Sequence, residues 1–352
     1  MAKPAKMQNL VTGTEGWVWA RAWMTIILLC FLADQSHCSL QHVRSAKKTG
    51  NSLNFLVVGD WGRKGYYNQS EVATQMGRIG EELDIDFVIS TGDNFYEEGL
   101  TGTDDPSFEE SFSGIYTAKS LQTPWYSVLG NHDYRGDALA QLSPSLRNKD
   151  HRWQCERSFI LKYTICPHGL QSGGGSADLF FVDTIPFVDH YWEPSKHQYD
   201  WRGVLPREKY LNQQLQDLSV ALEASTATWK IVIGHHTIRS VGSHGDTLEL
   251  FPQLLPIIES YGVDLYVNGH DHCLEHISSV NSPLQFLTSG GGSKAWRGMK
   301  QGANMEGLQF FHNGQGFISV QIQATLLHVV FYDVQGNSVH ELNLLKEALS
   351  ES

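Results

Sequence analysis

Charged residues are scarce in this sequence, and basic residues are fewer than acidic ones. Lys and Arg account for 26 of the 352 residues against 38 Asp and Glu, so the formal net charge is −12. This deficit excludes a protein that binds nucleic acid through a broad basic face. Charged residues make up only 18 % of the chain and apolar residues 41 %. Because such a chain can bury a sizeable core, intrinsic disorder is excluded as well.

Long hydrophobic runs are also missing. The main apolar stretch, residues 23–33, would cover only about half of a ~30 Å bilayer core. Basic residues precede it, as in a secretory signal peptide. We therefore predict that 1–38 is a signal peptide cleaved after Cys38 or after Ala33, with an uncleaved anchor as the alternative. The cleaved protein would have no stable membrane insertion, and would be secreted to the extracellular space or cell wall, or carried to a vacuole or lysosome.

Cysteines are also few. The chain has five cysteines, and those outside the predicted signal peptide are Cys155, Cys166 and Cys273. In an oxidising compartment Cys155 could bridge to Cys166 and leave Cys273 as a free thiol, or a different pair could form. A glycosylation sequon begins at Asn68, so an N-glycan there is a further expectation for a secreted protein.

What the sequence does contain is a series of short apolar runs, each leading through glycine to Asp, Asn or His. Their content of Val, Ile and aromatic residues is typical of buried strands. Apolar residues at helical spacing between the runs predict helices over 72–83 and 211–222, and a weaker one within 248–261. Alternating strands and helices indicate an α/β fold with a largely parallel or mixed sheet. The runs cover 55–58, 87–89, 125–129, 229–233 and 265–267.

Two patterns concern the C-terminal part and the loops. Residues 284–288, 316–322 and 325–332 predict strands without intervening helices, and we expect them to close a second sheet in antiparallel fashion. Two Ser-Gly-Gly-Gly-Ser stretches, at 172–176 and 289–293, predict flexible loops. Neither ends in the Lys-Ser/Thr of a phosphate-binding P-loop, so that kind of nucleotide site is not expected.

The polar residues after the strands are the first indication of function. Ligands of open α/β sheets gather at the carboxyl ends of the strands, and glycine permits the sharp turn there. An isolated Gly-Asp or Asn-His fragment is typical of a turn, but five such fragments in this order favour a metal site for more than one ion. The oxygen and imidazole donors that folding should bring together are those of Asp60, Asp93, Asn131, His235, His270 and His272.

The series as a whole resembles a known family. Its blocks are Gly59-Asp60-x-Gly62, Gly92-Asp93-x-x-Tyr96, Gly130-Asn131-His132-Asp133, Gly234-His235 and Gly269-His270-x-His272. They resemble the five-block signature of the purple acid phosphatases, most closely the low-molecular-weight type of plants and mammals. Tyr96 makes the match specific, since most other metallophosphoesterases lack a tyrosine there.

This resemblance implies an α/β architecture in which two mixed β-sheets pack as a sandwich flanked by helices. That is the four-layer α-β-β-α metallophosphoesterase fold. The corresponding domain limits are an N-terminal segment at 39–52, a catalytic domain at 53–335 and a C-terminal tail at 336–352.

The resemblance also implies a dinuclear Fe(III)–M(II) centre. Hard anionic donors favour a trivalent ion, whereas a neutral amide and imidazoles suit a divalent one. Asp93 would bridge the two ions. Fe(III) would be held by Asp60, Tyr96 and His272, and a divalent Fe, Zn or Mn by Asn131, His235 and His270.

The activity implied is that of a secreted acid phosphatase, a phosphoric monoester hydrolase that acts on small phosphate esters. A metal-bound hydroxide would attack phosphorus in line with the leaving group. The candidate catalytic residues are His132, which follows the ligand Asn131, and His244, which follows His235 in the chain. Their expected roles are to orient the phosphate and to protonate the leaving group.

Two alternatives stand beside this interpretation. In a di-Mn metallophosphodiesterase or protein phosphatase, Tyr96 would be incidental. The other alternative is an inactive variant that acts as a binding protein, because the segment 160–179 is longer than in similar proteins. All the expected ligands lie outside that segment.

Overall fold

The computed structural model describes residues 41–166 and 174–347, so the predicted signal peptide lies outside the described residues. Its strands, numbered in chain order, form two sheets. In spatial order the first sheet consists of β1 (Gln41–Thr49), β6 (Phe159–Cys166), β7 (Ser176–Phe181), β8 (Trp229–Ile233), β9 (Leu265–Asn268), β11 (Gln285–Ser289), β10 (Leu274–Ser278) and β12 (Leu308–His312). The second consists of β15 (Ser338–Leu345), β14 (Leu326–Asp333), β13 (Gly316–Ile322), β2 (Leu53–Val58), β3 (Phe87–Ser90), β4 (Trp125–Ser127) and β5 (Trp153–Cys155).

Both sheets mix parallel and antiparallel pairs. In the second sheet β2, β3, β4 and β5 run parallel, with Phe55 opposite Phe87, and β13, β14 and β15 extend it in antiparallel fashion. In the first sheet β7, β8, β9 and β11 run parallel. Each sheet therefore contains one block of parallel strands. The loops that follow the carboxyl ends of these strands carry polar residues.

Helices cover the outer faces of the sandwich. The predicted helices at 72–83 and 211–222 are confirmed, and the segment 248–261 forms two short helices rather than one. Pro256 stands in the first turn of the second of these, where its missing N–H costs no hydrogen bond. The helices are α1 (Gln69–Leu83), α2 (Ala138–Leu142), α3 (Pro144–Lys149), α4 (Arg207–Glu223), α5 (Leu250–Gln253) and α6 (Leu255–Ser260).

Alternation along the strands explains the four layers. In β2 the side chains of Phe55 and Val57 point between the sheets, while Leu56 and Val58 point to the outer layer that contains α1. Residues of α4, such as Leu218, pack on the outer face of the first sheet. Because both faces of the central strands such as β2 and β3 are buried, these strands are nearly continuous apolar runs. The expected α-β-β-α sandwich is confirmed.

Several details differ from the expectations. Strand β11 pairs in parallel with β9 in the first sheet, so the assignment of 284–288 to the second sheet was wrong. The segment predicted as a C-terminal tail includes β15, which pairs with β14 along its length, and the predicted N-terminal segment includes β1, paired with β6. Short alternating strands at a chain end carry too weak a local signal to be distinguished from a tail.

The long segment 160–179 contains two strands of the core. β6 and β7 form an antiparallel pair in which Phe159 lies opposite Phe181, and their rings stack with centroids 4.0 Å apart. Residues 167–173, which include the first two residues of the Ser-Gly-Gly-Gly-Ser stretch at 172–176, lie outside the described residues. Most of the described part of the segment therefore belongs to the first sheet, and the side chains of Leu161, Ile165 and Leu179 are buried in its core.

The three described cysteines are free thiols. Cys155 ends β5 in the second sheet, whereas Cys166 ends β6 in the first. β6 begins at Phe159 and runs away from Cys155 for its full length, roughly 20 Å at ~3.3 Å per residue. That separation is too large for a disulfide, which needs Cα atoms within about 7 Å.

Candidate metal centre

The polar residues that follow the parallel strands meet at one edge of the sandwich. Asp60 follows β2, Asp93 follows β3 and Asn131 follows β4, while His235 and His270 follow β8 and β9 in the other sheet. Asp60, Asp93 and His270 have positive φ angles of 61°, 51° and 68°. Residues other than glycine rarely adopt this conformation, and clusters of such residues are typical of functional sites.

The first group of donors is centred on the phenol of Tyr96. Its hydroxyl oxygen lies 3.1 Å from Asp60 Oδ1, 2.9 Å from Asp93 Oδ2 and 3.2 Å from His272 Nε2. Ligand atoms of Asp60, Asp93 and His272 all lie within 4.8 Å of one another, and all three residues are buried. Convergent carboxylates, an imidazole and a phenol have the spacing of ligands around one cation.

The second group lies on the other side of Asp93. His235 Nε2 is 3.2 Å from Asn131 Oδ1 and 3.5 Å from Asp93 Oδ1. The ring of His270 lies 5.1 Å from that of His235, centroid to centroid. Asp93 therefore points one oxygen into each group, which is the geometry of a carboxylate that bridges two ions.

His236 is a geometric rival for the second group, since its ring lies within ligand distance of His235 and His270. Both of its ring nitrogens already have partners, however. Nδ1 is 3.0 Å from the hydroxyl of Thr184, and Nε2 is 2.9 Å from that of Tyr191. Asn131, whose oxygen points at His235, is therefore the better third donor.

Two of the histidines are oriented by backbone carbonyls. His235 Nδ1 donates to the carbonyl oxygen of Thr91 at 2.9 Å, and His272 Nδ1 donates to that of Lys294. A carbonyl only accepts, so the proton stays on Nδ1, and the Nε2 lone pair of each ring faces the cluster. Carbonyl partners of this kind are typical of histidines that bind metals.

The electrostatics of the site call for cations. Burial and the Asp93 carboxylate hold the pKa of Asp60 well above its usual range, and burial followed by the Asp60 charge does the same to the pKa of Tyr96. Burial lowers the pKa values of His270 and His272. Burial would also raise the pKa of Asp93, but His235 and His132 hold it below its usual range. Bound cations would offset the cost of burying the negative charges of Asp60, Asp93 and Tyr96, so the residues fit a metal pair.

The two candidate catalytic histidines lie beside these groups. The backbone N–H of His132 donates to Asp93 Oδ1 at 2.8 Å, and its Nε2 is 3.9 Å from Asp93 Oδ2. The ring of His244 lies 4.2 Å from that of His270, centroid to centroid. Both line a cavity of about 430 Å³ that also exposes Asp93, Asn131, His270 and His272. Each of the nine expected site residues is therefore found in or around one cleft.

Sequence reasoning missed two buried carboxylates that hold the site loops. Asp133 accepts from the backbone N–H groups of Asn94, Phe95 and Gly130 at 2.7–3.1 Å, and so joins the loop of Asp93 to that of Asn131. Asp271 accepts from the N–H of His244 at 2.7 Å. Both acids stand inside the sequence blocks, but nothing in the spacing shows that they bind backbone rather than cations.

The second Ser-Gly-Gly-Gly-Ser stretch is fixed rather than flexible. Its Gly292 N–H donates to the carbonyl of Gly59 at 3.0 Å, and the Ser293 hydroxyl donates to that of Asp60 at 2.5 Å. A Cβ on Gly290 would lie 2.1 Å from the carbonyl oxygen of Asp271. Glycine is needed here because this backbone packs directly against the backbone of the site.

Comparisons with known proteins identify relatives of the whole chain. The family model described as calcineurin-like phosphoesterase matches residues 53–274. The chain is 59 % identical to purple acid phosphatase 3 of Arabidopsis thaliana over 326 residues, which cover 92 % of this chain and 86 % of that protein. It is 30 % identical to human tartrate-resistant acid phosphatase type 5 over 309 residues, 84 % of this chain and 92 % of the human protein.

Solved structures show the same fold. The protein described as the anchor in the inner membrane complex of Plasmodium superposes with a TM-score of 0.70 and 25 % identity, covering 84 % of this chain and 90 % of its own. A purple acid phosphatase from yellow lupin seeds has a TM-score of 0.56 and 14 % identity, covering 84 % of this chain and 54 % of its own. Within residues 41–166 and 174–347, no helix is long and apolar enough to cross a membrane.

Proposed function

Since this chain belongs to the purple acid phosphatases, a family of dinuclear-metal acid phosphatases, we propose that Fe(III) and one divalent ion form its centre. The single observation that supports this proposal is the position of the Tyr96 hydroxyl, within 3.2 Å of Asp60, Asp93 and His272. A phenolate among carboxylates is a hard anionic donor set and favours a trivalent ion. The neutral group of Asn131, His235 and His270 suits divalent Fe, Zn or Mn.

The charge of the proposed centre explains how an acidic protein attracts phosphate. Two carboxylates and one phenolate oppose cations of charges +3 and +2, so the local sum stays positive although the chain carries −12. The chemistry supplied by the bound pair would be Lewis-acid polarisation of a phosphoryl group and a water of lowered pKa. The protein supplies the fixed ligands and the cavity.

His132 and His244 are assigned to the phosphate and the leaving group. Both side chains line the cavity, and both are anchored through their backbone N–H groups, His132 to Asp93 and His244 to Asp271. A histidine whose backbone is fixed can hold a proton at a defined place, which is what transfer to a leaving oxygen requires. We assign orientation of the phosphate to His132 and protonation of the leaving group to His244.

The proposed domain and compartment follow from the chain around the site. We assign the catalytic domain to 53–335, extended by β15 because that strand completes the second sheet. We propose secretion, or delivery to a vacuole or lysosome, on the basis of the apolar segment at 23–33 and the sequon at Asn68. The Asn68 side chain is half-buried and lies 3.4 Å from Gln315 Oε1, so an N-glycan would have to displace this contact.

The test of the proposal is metal content and visible spectrum of the purified protein, with an aryl phosphate assayed across pH. We expect iron with a second metal, a charge-transfer band in the visible region and hydrolysis in acid. The variant Tyr96→Phe should lose the band while the fold is retained; colour that persists in this variant would remove Tyr96 from the metal.

The same measurements separate the alternatives. Two manganese ions, no colour and a preference for phosphodiesters would favour the di-Mn reading. A protein that binds no metal and hydrolyses no ester, although correctly folded by circular dichroism, would favour the inactive binding protein. The close approach of all seven proposed ligands argues against that second alternative.

A further inference from the structure

Within the described part of the chain, two arginines of the cavity and two lysines near them lack the carboxylate partners that many other arginines have. Arg135 and Arg297 line the cavity, and Lys294 and Lys300 stand on the same loop as Arg297. Among the described residues, no carboxylate oxygen lies within 4.0 Å of any of the four. Paired arginines are common in the same chain, where Arg63, Arg152, Arg157, Arg202 and Arg207 each meet Asp or Glu.

Each of the two arginines flanks one candidate catalytic histidine. Arg297 Nη1 is 2.7 Å from His244 Nε2, and Arg135 Nη1 is 3.0 Å from His132 Nδ1. A guanidinium has five N–H donors, so one contact to an imidazole leaves most of them free. The Nε of Arg135 is buried and has no partner. Unused donors therefore stand on both flanks of the cleft.

The loop that carries Lys294, Arg297 and Lys300, which we call the cationic loop (residues 294–300), is held against the proposed metal ligands. Its first carbonyl, that of Lys294, accepts from His272 Nδ1, and the preceding Ser293 donates to the carbonyl of Asp60. Lys300 Nζ donates to the carbonyl of His244 at 2.9 Å. Anchors on both sides fix Arg297 relative to the reaction site, so little ordering is needed to bind an anion there.

The cavity is larger than the phosphoryl group that is hydrolysed. Its volume of about 430 Å³ lies in the range of sites that hold a whole small molecule. Tyr191 and Tyr199 form another part of its wall. A substrate with its scissile phosphate at the metal ligands would therefore have room for its leaving group beside the arginines.

We propose that Arg135 and Arg297 form a subsite for a second phosphoryl group, so that small bisphosphorylated esters are the preferred substrates. This inference rests on the proposed phosphatase function. The planar guanidinium fork matches two phosphate oxygens at once, which a lysine cannot do. Lys294 and Lys300, on the same loop as Arg297, add positive potential that favours binding of the same dianion.

The experiment compares a hexose 1,6-bisphosphate with the corresponding hexose 1-phosphate and follows hydrolysis of the 1-phosphate ester in both. The full, metal-loaded protein and its variants Arg297→Gln and Arg135→Gln are assayed for kcat/KM on both. We expect a wild-type preference for the bisphosphate that falls about tenfold or more in each variant, as for loss of a charge-assisted hydrogen bond. Raising the ionic strength should weaken the wild-type preference.

A matched control is Arg78→Gln on α1, which removes the same charge from an exposed ion pair with Glu82. It should leave the preference unchanged. Inhibition gives a second readout, because the hexose 1,6-bisphosphate should compete with an aryl phosphate substrate more strongly than the hexose 1-phosphate does, and Arg297→Gln should remove that difference.

The outcomes that overturn the proposal are distinct from failure of the phosphatase assignment. Equal kcat/KM for both substrates in the wild type would refute the subsite. Equal losses on both substrates in the variants would show that the arginines act only through His132 and His244, and would also refute it. A protein that hydrolyses neither ester would refute the phosphatase function and, with it, the subsite.

Discussion

Replacement of Asp133 by alanine should destabilise the protein and weaken both metal sites at once. The carboxylate is fully buried. Its oxygens accept hydrogen bonds from the backbone N–H groups of Asn94, Phe95 and Gly130, and from the Gln141 side-chain amide at 2.8 Å. Alanine leaves all four donors without an acceptor. The loops they belong to carry Asp93 and Asn131, one residue away in each case.

The size of the effect can be worked out from these contacts. A buried donor left unsatisfied costs about 1–3 kcal/mol, so the three backbone groups give about 3–9 kcal/mol. Water that enters the space, and relief of repulsion with Asp93, move the result toward the lower end. We expect a loss of about 3 kcal/mol in the free energy of unfolding. At about 2 °C per kcal/mol for a chain of this size, Tm should fall by about 6 °C.

Denaturant and thermal unfolding of the metal-free protein measure this loss without a contribution from bound ions. Burial and the Asp93 charge raise the pKa of Asp133 to about 7, so the measurement belongs near pH 8, where the carboxylate is ionised. Asp133→Asn keeps one acceptor oxygen and should lose less. Asp104→Ala removes an exposed partner of Lys149 and should change the free energy by no more than about 0.5 kcal/mol. A similarly small change in Asp133→Ala would refute the reasoning.

Three further predictions concern the bridge, the core and the pH dependence. Asp93→Ala should lose both cations in metal analysis, and a variant that keeps two metals with normal turnover would contradict a bridging role. Leu218→Ala, in the buried face of α4, should cost about 2–5 kcal/mol in denaturant unfolding, whereas Val220→Ala on the exposed face should cost no more than about 0.5 kcal/mol. Burial lowers the pKa of His276, which lies 2.9 Å from His340 across the sheets. In the unfolded chain His276 has a pKa of ~6.5, so below that pH the unfolded state binds more protons than the folded state does. The free energy of unfolding should therefore decline as pH falls from 7 toward 5. His276→Gln should decline less over that range, and an unchanged pH profile would rule out this contribution.

Local patterns predicted the elements well where a strand or helix is long and buried. The helices α1 and α4 and the five strands before the polar residues appear where apolar spacing placed them, because periodicity reports which face of an element is buried. Partnership between strands was predicted less well. β11 joins β9 rather than the second sheet, and β15 completes a sheet from a segment expected to be a tail. Pairing is a contact between distant residues and leaves no mark on the spacing within either strand.

The same distinction applies to the site. The types of donor, and their place after strands, can be read in the chain because glycine and a polar residue must follow wherever a strand ends at a ligand. Only packing decided which of these groups meet. The Tyr96 hydroxyl lies within hydrogen-bond distance of Asp60 and His272. The ring nitrogens of His236 contact Thr184 and Tyr191 instead. Asp133 accepts from backbone N–H groups. Arg135 and Arg297 come to the same cavity from loops far apart in the chain. Hydrogen-bond partners are set by which loops two packed sheets bring within about 3 Å, and that distance exists only in the folded protein.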